Sequence, residues 1–201
     1  VVLRGQCYEQ ESVPYKGIDA LVDELARHLM RLPEEELQAV LVEDASLLAR
    51  IFPVLNQVSA ISSLVEQSDE VGDPRAIRDR AFEALAELLR RIGRRRPLIL
   101  SIDDLQWGDA DSAILLNELL QSETPLGIMF VLAFRGEYVD TSACLRSLRE
   151  ASWRRRSRQF SRINDAGNQH VVQLESIRLR PLSAEDICEL VDLVLPDGQS
   201  L

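Results

Sequence analysis

The chain has 201 residues, of which 46% are hydrophobic and 28% charged, as in an ordinary globular protein. Its net charge of -10 argues against direct nucleic-acid binding or a membrane-surface role, and no apolar run reaches the roughly 18 residues of a membrane span. The three cysteines are widely spaced, which predicts a cytoplasmic protein with reduced thiols in packing positions. The two histidines lie outside any metal-ligand spacing, so zinc chemistry is a poor fit.

The first half of the chain predicts one strand and a series of helices. The β-type run Val1–Cys7 comes first, and apolar residues then recur at helical spacing. Asp73 and Pro74 form a good cap and first-turn pair for the last of these helices, and Gly93 is expected to end it. The polar stretch 56–72 is predicted to be a loop. The helices are predicted over residues 17–32, 34–42, 44–52 and 74–93.

The second half alternates between strands and helices. Strands are predicted over residues 97–103, 128–134 and 170–179, and helices over 112–121, 142–151 and 184–195. Either Asp109 or Asp111 can cap the first of these helices, Ser183 and Asp186 resemble a capping box before the last, and 153–169 is polar enough for a loop. The alternation predicts an α/β fold in which helices flank a parallel sheet. In such sheets, ligands bind beyond the carboxyl ends of the strands.

Two adjacent acids end the most apolar predicted strand, in the stretch PLILSIDDLQWGDADS of residues 97–112. An unpaired buried carboxylate costs several kcal/mol, so Asp103 and Asp104 are expected at an edge, near water, a cation or a polar ligand. Arg135 ends the next predicted strand and should share that edge. These residues form a coherent set for nucleotide hydrolysis. One acid can hold Mg²⁺, the other can orient or deprotonate a water, and the cation can lie near a γ-phosphate.

The same residues carry a family resemblance. LILSIDDLQWGDADS resembles the Walker B region of the STAND-type AAA+ ATPases, P-loop proteins of large bacterial regulators. GQCYEQESVPYKGIDALVDEL, MFVLAFRGE and IRLRPLSAEDICEL are similar to the segment before that motif, the sensor-1 strand, and the last core strand with the first lid helix. The resemblance implies a P-loop NTPase-like core over residues 1–181, missing its first strand, and the start of a helical lid over 182–201.

The resemblance also implies roles for individual residues, with ATP and Mg²⁺ as cofactors. Asp103 would be the magnesium-associated acid, acting through water, Asp104 the catalytic carboxylate and Arg135 the catalytic sensor-1 residue. Gln106 and Trp107 match the motif and are assigned to the nucleotide-binding loop, through packing and loop orientation.

One family motif is missing from the chain. No GxxxxGK followed by Ser or Thr occurs, and the only lysine, Lys16, lacks the glycine frame of a phosphate loop. We expect the chain to begin just after the Walker A segment, and therefore to bind ATP poorly without it.

The leading interpretation is part of an ATP-hydrolysing switch in a cytosolic signalling protein. Its expected partners are an attached effector domain, such as a kinase, cyclase or transcription regulator, and further copies of itself. A second interpretation is a non-catalytic interaction scaffold with vestigial acids. A metal-dependent phosphohydrolase fits less well, because such sites usually need further acids or histidines. Solvated surface positions for Asp103, Asp104 and Arg135 remain an alternative to the nucleotide site.

Overall fold

A computed structural model describes residues 1–10, 14–67, 72–121, 128–158 and 175–194. The chain divides into two compact units, Val1–His170 and Val171–Leu201. None of the described helices combines the length and the apolar content that a membrane crossing needs.

The described part of the first unit is built around a three-stranded parallel sheet with flanking helices, as predicted. The strands are β1 (Val2–Gln6), β2 (Leu98–Asp103) and β3 (Ile128–Leu132), in the order β1-β2-β3. The central strand pairs Asp103 with Gln6 on one side and Ile102 with Leu132 on the other. The carboxyl ends of all three strands therefore meet at one edge, which we call the rim.

Most helices lie where the sequence predicts them. Residues 56–72, however, are not simply a loop, because a 3-10 helix over Pro53–Gln57 and an α-helix follow the third helix. Leu55, Val58 and Ile61 are buried at three-residue spacing, so a short apolar face was enough to order this polar segment. The α-helices of the described residues are α1 (Lys16–Met30), α2 (Glu34–Val40), α3 (Ala45–Ile51), α4 (Ser59–Glu66), α5 (Pro74–Arg95), α6 (Ala110–Gln121), α7 (Ala143–Arg158) and α8 (Ala184–Val194).

Two helices run further than predicted. Asp73 caps α5 by accepting a hydrogen bond from the Arg75 amide at 3.4 Å, but the helix passes through Gly93 and ends at Arg95. The helix α7 continues to Arg158, into the stretch predicted as a loop. Arginine is a good helix former, so an arginine-rich stretch does not by itself end a helix. Residues 159–169 of that predicted loop lie outside the described residues.

The core of the first unit lies between the sheet and the helices. Leu3, Leu98, Leu100 and Ile102 are buried. A Cβ on Gly5 would lie 3.3 Å from the Leu21 amide nitrogen, so the glycine permits the close packing of α1 on β1. On the opposite side of the strands, exposed side chains include Val2, Met129 and Val131.

The second unit contains α8 and the segment before it. Ser183 and Asp186 form the predicted capping box: the Ser183 Oγ accepts from the Asp186 amide at 3.1 Å, and Asp186 Oδ2 accepts from the Ser183 amide at 2.8 Å. The strand predicted over 170–179 is wrong in its described part, since residues 175–179 have no regular secondary structure. An alternating pattern makes a strand only when a neighbouring strand pairs with it. Residues 170–174 lie outside the described residues.

Candidate functional site

The two acids lie on the rim, at the end of the central strand. Asp103 is the last residue of β2 and is exposed, and Asp104 follows it in the left-handed conformation, with φ 51° and ψ 37°. The Asp103 Oδ1 accepts a hydrogen bond from the Asp104 amide at 2.8 Å. A short polar side chain tolerates this conformation better than most, and the turn leads into a 3-10 helix over Leu105–Trp107.

The carboxylate of Asp104 is held from three directions. Gln106 Nε2 donates to Oδ1 at 2.8 Å, Gln6 Nε2 donates to Oδ2 at 3.3 Å, and Arg135 Nε lies 3.8 Å from Oδ1. The hydrogen bond from Gln106 and then that from Gln6 lower the pKa of Asp104. Burial opposes them, and the Arg135 charge makes the smallest contribution, which lowers the pKa further. The carboxylate is therefore ionised at neutral pH and is oriented by neutral amides more than by a cation.

The side chain of Gln106 is only 4% exposed, and both of its polar atoms bond to protein groups. Its Nε2 donates to Asp104, and its Oε1 accepts from the Arg135 amide at 3.1 Å. The sequence assigns Gln106 to the nucleotide-binding loop. In the structure it connects the end of β2 with the residues that follow β3.

Trp107 and Arg135 occupy different surroundings on the rim. The Trp107 ring is half-buried against Tyr138, with centroids 4.9 Å apart and planes inclined by 57°. Tyr138 ends a 3-10 helix over Gly136–Tyr138, so this contact joins the two loops that follow β2 and β3. The Arg135 side chain is 61% exposed and remains accessible to a ligand.

Asp103 has the chemistry of a magnesium donor. Its carboxylate is exposed at the strand end, and one oxygen is engaged by the Asp104 amide. No group of three or more His, Cys, Asp or Glu side chains suited to a metal occurs within the described ranges. Mg²⁺ usually keeps several waters and takes one or two carboxylates together with substrate phosphates, so a single exposed aspartate fits this ion.

A second cluster fastens the loop after β2 to the start of α1. Asp109 Oδ1 accepts from the Ser112 amide at 3.1 Å, and Oδ2 accepts from the Tyr15 amide at 2.8 Å. The Ser112 hydroxyl donates to Asp109 and accepts from the Gly17 amide at 3.0 Å. Tyr15 is left-handed, with φ 62°. Asp109, rather than Asp111, is therefore the cap of α6. It also accepts a hydrogen bond from Tyr15, the residue that precedes α1.

Two of these roles, those of Gln6 and Asp109, do not follow from the sequence predictions. Gln6 was not singled out, although it is a polar residue at the carboxyl end of a predicted strand, and the rule that brought Asp104 and Arg135 together applies to it equally. Asp109 was expected only as a local helix cap. Its bond to Tyr15, which is 94 residues away in the chain, has no local signature.

Residues 1–131, which include β1 and β2, resemble a known protein family. A family model described as an AAA ATPase domain matches residues 1–131. Over 72 residues the chain is 35% identical to an uncharacterized protein of Rhizobium meliloti (strain 1021), which covers 36% of this chain and 7% of that protein. No solved structure matches the chain. Since the family match includes β1, β2 and both acids of the rim, this chain belongs to the AAA ATPase domain family.

Proposed function

We propose that the rim is the hydrolytic half of an ATP site, in which Asp104 orients the attacking water and accepts its proton. The observation that carries the proposal is the double amide support of Asp104, by Gln6 and Gln106, at the end of the central strand. A carboxylate that was only a solvated strand end would not need two side chains to fix both of its oxygens.

The lowered pKa of Asp104 is compatible with this role. Phosphoryl transfer passes through a loose transition state, so catalysis depends mainly on positioning and charge stabilisation rather than on a strong base. An ionised, oriented carboxylate holds a water in line with the phosphorus. Hydrolysis would cleave the β-γ phosphoanhydride, with the proton of the water passing to Asp104 and the γ-phosphoryl group to the water oxygen.

Asp103 and Arg135 would complete the charge balance at the phosphates. Asp103 would hold Mg²⁺ through water, and the ion, when bound, neutralises phosphate charge. Arg135 reaches the same edge with an exposed guanidinium and would contact the γ-phosphate. Trp107, packed on Tyr138, would set the shape of the loop without contacting the nucleotide.

The decisive experiment replaces Asp104 with Asn in the full-length protein. The change keeps the size of the side chain and removes its charge and basicity, so we expect ATP binding to persist while turnover falls by about 100-fold or more. Asp111→Asn is the matched control, because Asp111 is an acid in the first turn of α6 and is not one of the groups that set the pKa of Asp104. Undiminished turnover in Asp104→Asn would remove the assignment of the base. A protein that neither binds nor hydrolyses ATP would favour the scaffold.

At the level of the whole protein, we propose a cytoplasmic signalling switch. ATP binding and hydrolysis would set the conformation that an attached kinase, cyclase or transcription-regulator domain reads, with self-association as one output. The expected result is that Asp104→Asn, which holds ATP without turnover, changes the activity of the effector domain. Equal effector activity in the wild type and in this variant, with and without ATP, would contradict it.

A further inference from the structure

We propose that Gln106 is a positioning residue, whose buried amide couples the Asp104 carboxylate to the main chain at Arg135. This inference rests on the proposed function of Asp104 and adds the route by which the residues after β3 control the acid. The Gln106 side chain contacts neither of the expected ligands in this role, and acts through the two groups that it joins.

The side-chain amide of Gln106 has the donor that Asp104 needs and the acceptor that the Arg135 backbone amide needs. A carboxylate accepts hydrogen bonds and the Arg135 amide donates one, so the group between them must donate on one side and accept on the other. Gln106 does both, at 2.8 Å to Asp104 Oδ1 and 3.1 Å from the Arg135 nitrogen. Because its side chain is 4% exposed, water is poorly placed to replace either bond.

The main chain around Gln106 makes the coupling stiff. Beyond the regular ladder, the Ala133 amide donates to the Ile102 carbonyl at 2.9 Å, and the Leu105 amide donates to the Ala133 carbonyl at 3.0 Å. These bonds fix the loop after β2 against the residues after β3. Gln106 extends the same connection by one step, from main chain to the catalytic carboxylate. A ligand that binds the Arg135 side chain and moves its main chain would thereby also move Asp104.

The arrangement predicts which other residue can replace Gln106. A neutral histidine donates from one ring nitrogen and accepts at the other, so it can replace both bonds of the amide. Protonated histidine has two donors and no acceptor, and would lose the bond from the Arg135 amide. Leucine can make neither bond.

The experiment compares three variants in the full-length protein with the wild type. We expect Gln106→Leu to lower kcat by roughly 10- to 100-fold, since a misplaced group costs about that much, while KM for ATP changes by less than about twofold. We expect Gln106→His to retain turnover at alkaline pH and to lose it on acidification as the introduced imidazole is protonated, at a pH above the ordinary histidine value of about 6.5, because the ionised Asp104 carboxylate favours the imidazolium. The wild type would lack this additional step, and a residue needed only for folding would not create it.

Gln38→Leu is the matched control. Gln38 Nε2 donates to the Glu34 carboxylate at 2.8 Å, the same kind of bond on an exposed helix surface. Its loss should leave kcat and the pH profile unchanged. Unchanged kcat in Gln106→Leu, or identical pH profiles for Gln106→His and the wild type, would overturn the proposal.

A second measurement needs no ATP hydrolysis. The carboxyl carbon of Asp104 can be titrated by NMR, and Gln106→Leu should raise the pKa of Asp104 toward its ordinary value, whereas Gln38→Leu should not move it. If the wild type hydrolyses no ATP, the proposed function fails while this titration still decides the coupling. If Gln106→Leu does not fold, Gln106→His supplies the comparison at acidic pH. An Asp104 titration that is the same in all variants would overturn the coupling.

Discussion

Replacing Asp109 with Ala should destabilise the domain more than any other single change at a surface-accessible acid near the rim. The carboxylate caps α6 through the Ser112 amide and, 94 residues back in the chain, accepts from the Tyr15 amide at the start of α1. Loss of a helix cap costs about 1 kcal/mol, and loss of a hydrogen bond to a charged group costs about 1.5–3 kcal/mol. The expected total is about 3 kcal/mol, out of about 5–15 kcal/mol for a typical domain.

Thermal and urea unfolding followed by circular dichroism measure this loss. For a protein of this size, about 3 kcal/mol corresponds to a fall in Tm of roughly 6–12 °C. Asp109→Asn keeps one carbonyl oxygen as an acceptor and should fall between Asp109→Ala and the wild type. Asp111→Ala is the control, because Asp111 contributes chiefly a first-turn charge, which is worth about 0.3–1 kcal/mol.

Either of two results would contradict this expectation. One is a loss below about 1 kcal/mol for Asp109→Ala, which would mean that the bond to Tyr15 adds nothing to the local cap. The other is an equal loss for Asp111→Ala, which would mean that charge near the helix end, rather than the bond across 94 residues, carries the stability.

Two further predictions concern Glu87 and the cysteines. Glu87 accepts from Arg90 and Arg91 at 2.6 and 2.7 Å, and these hydrogen bonds lower its pKa, led by that from Arg90. Its stabilising effect is therefore present above the ordinary glutamate pKa and lost as pH falls through the lowered one. Glu87→Gln should cost about 0.5–1 kcal/mol at pH 7 and progressively less as the pH falls below the ordinary glutamate range; a pH-independent difference would contradict this. Burial raises the pKa of Cys144 to about 12, whereas Cys188 is exposed. A thiol reagent at pH 8 should modify Cys188 promptly and Cys144 only on unfolding, and rapid modification of Cys144 in the native protein would refute its burial.

The cysteines show where packing predictions succeed and where they fail. All three cysteines were predicted to occupy packing positions; Cys7 and Cys144 are buried, but Cys188 is exposed on α8. The apolar residues near Cys188 on the same helix, Ile187, Leu190 and Val191, are exposed as well. Hydrophobic periodicity shows which side of a helix can be buried, and only the tertiary structure shows whether anything covers it.

The sequence by itself determined the fold class and the location of the rim. Apolar runs ending at Asp103 and before Arg135 are local features, and parallel strands must bring their carboxyl ends to one edge. It also determined the helix start at Asp73 and the capping box at Ser183, because caps depend on residues two or three positions apart.

The tertiary structure decided which groups hold the acids. Gln6 lies opposite Asp103 only because β1 and β2 pair in one particular register, and Gln106 meets the Arg135 amide only because β3 lies beside β2. The hydrogen bond from the Tyr15 amide distinguishes Asp109 from Asp111, the other candidate for the cap of α6. These contacts join residues 29 to 98 positions apart. Their partners are chosen by strand register and helix packing, which no local pattern encodes.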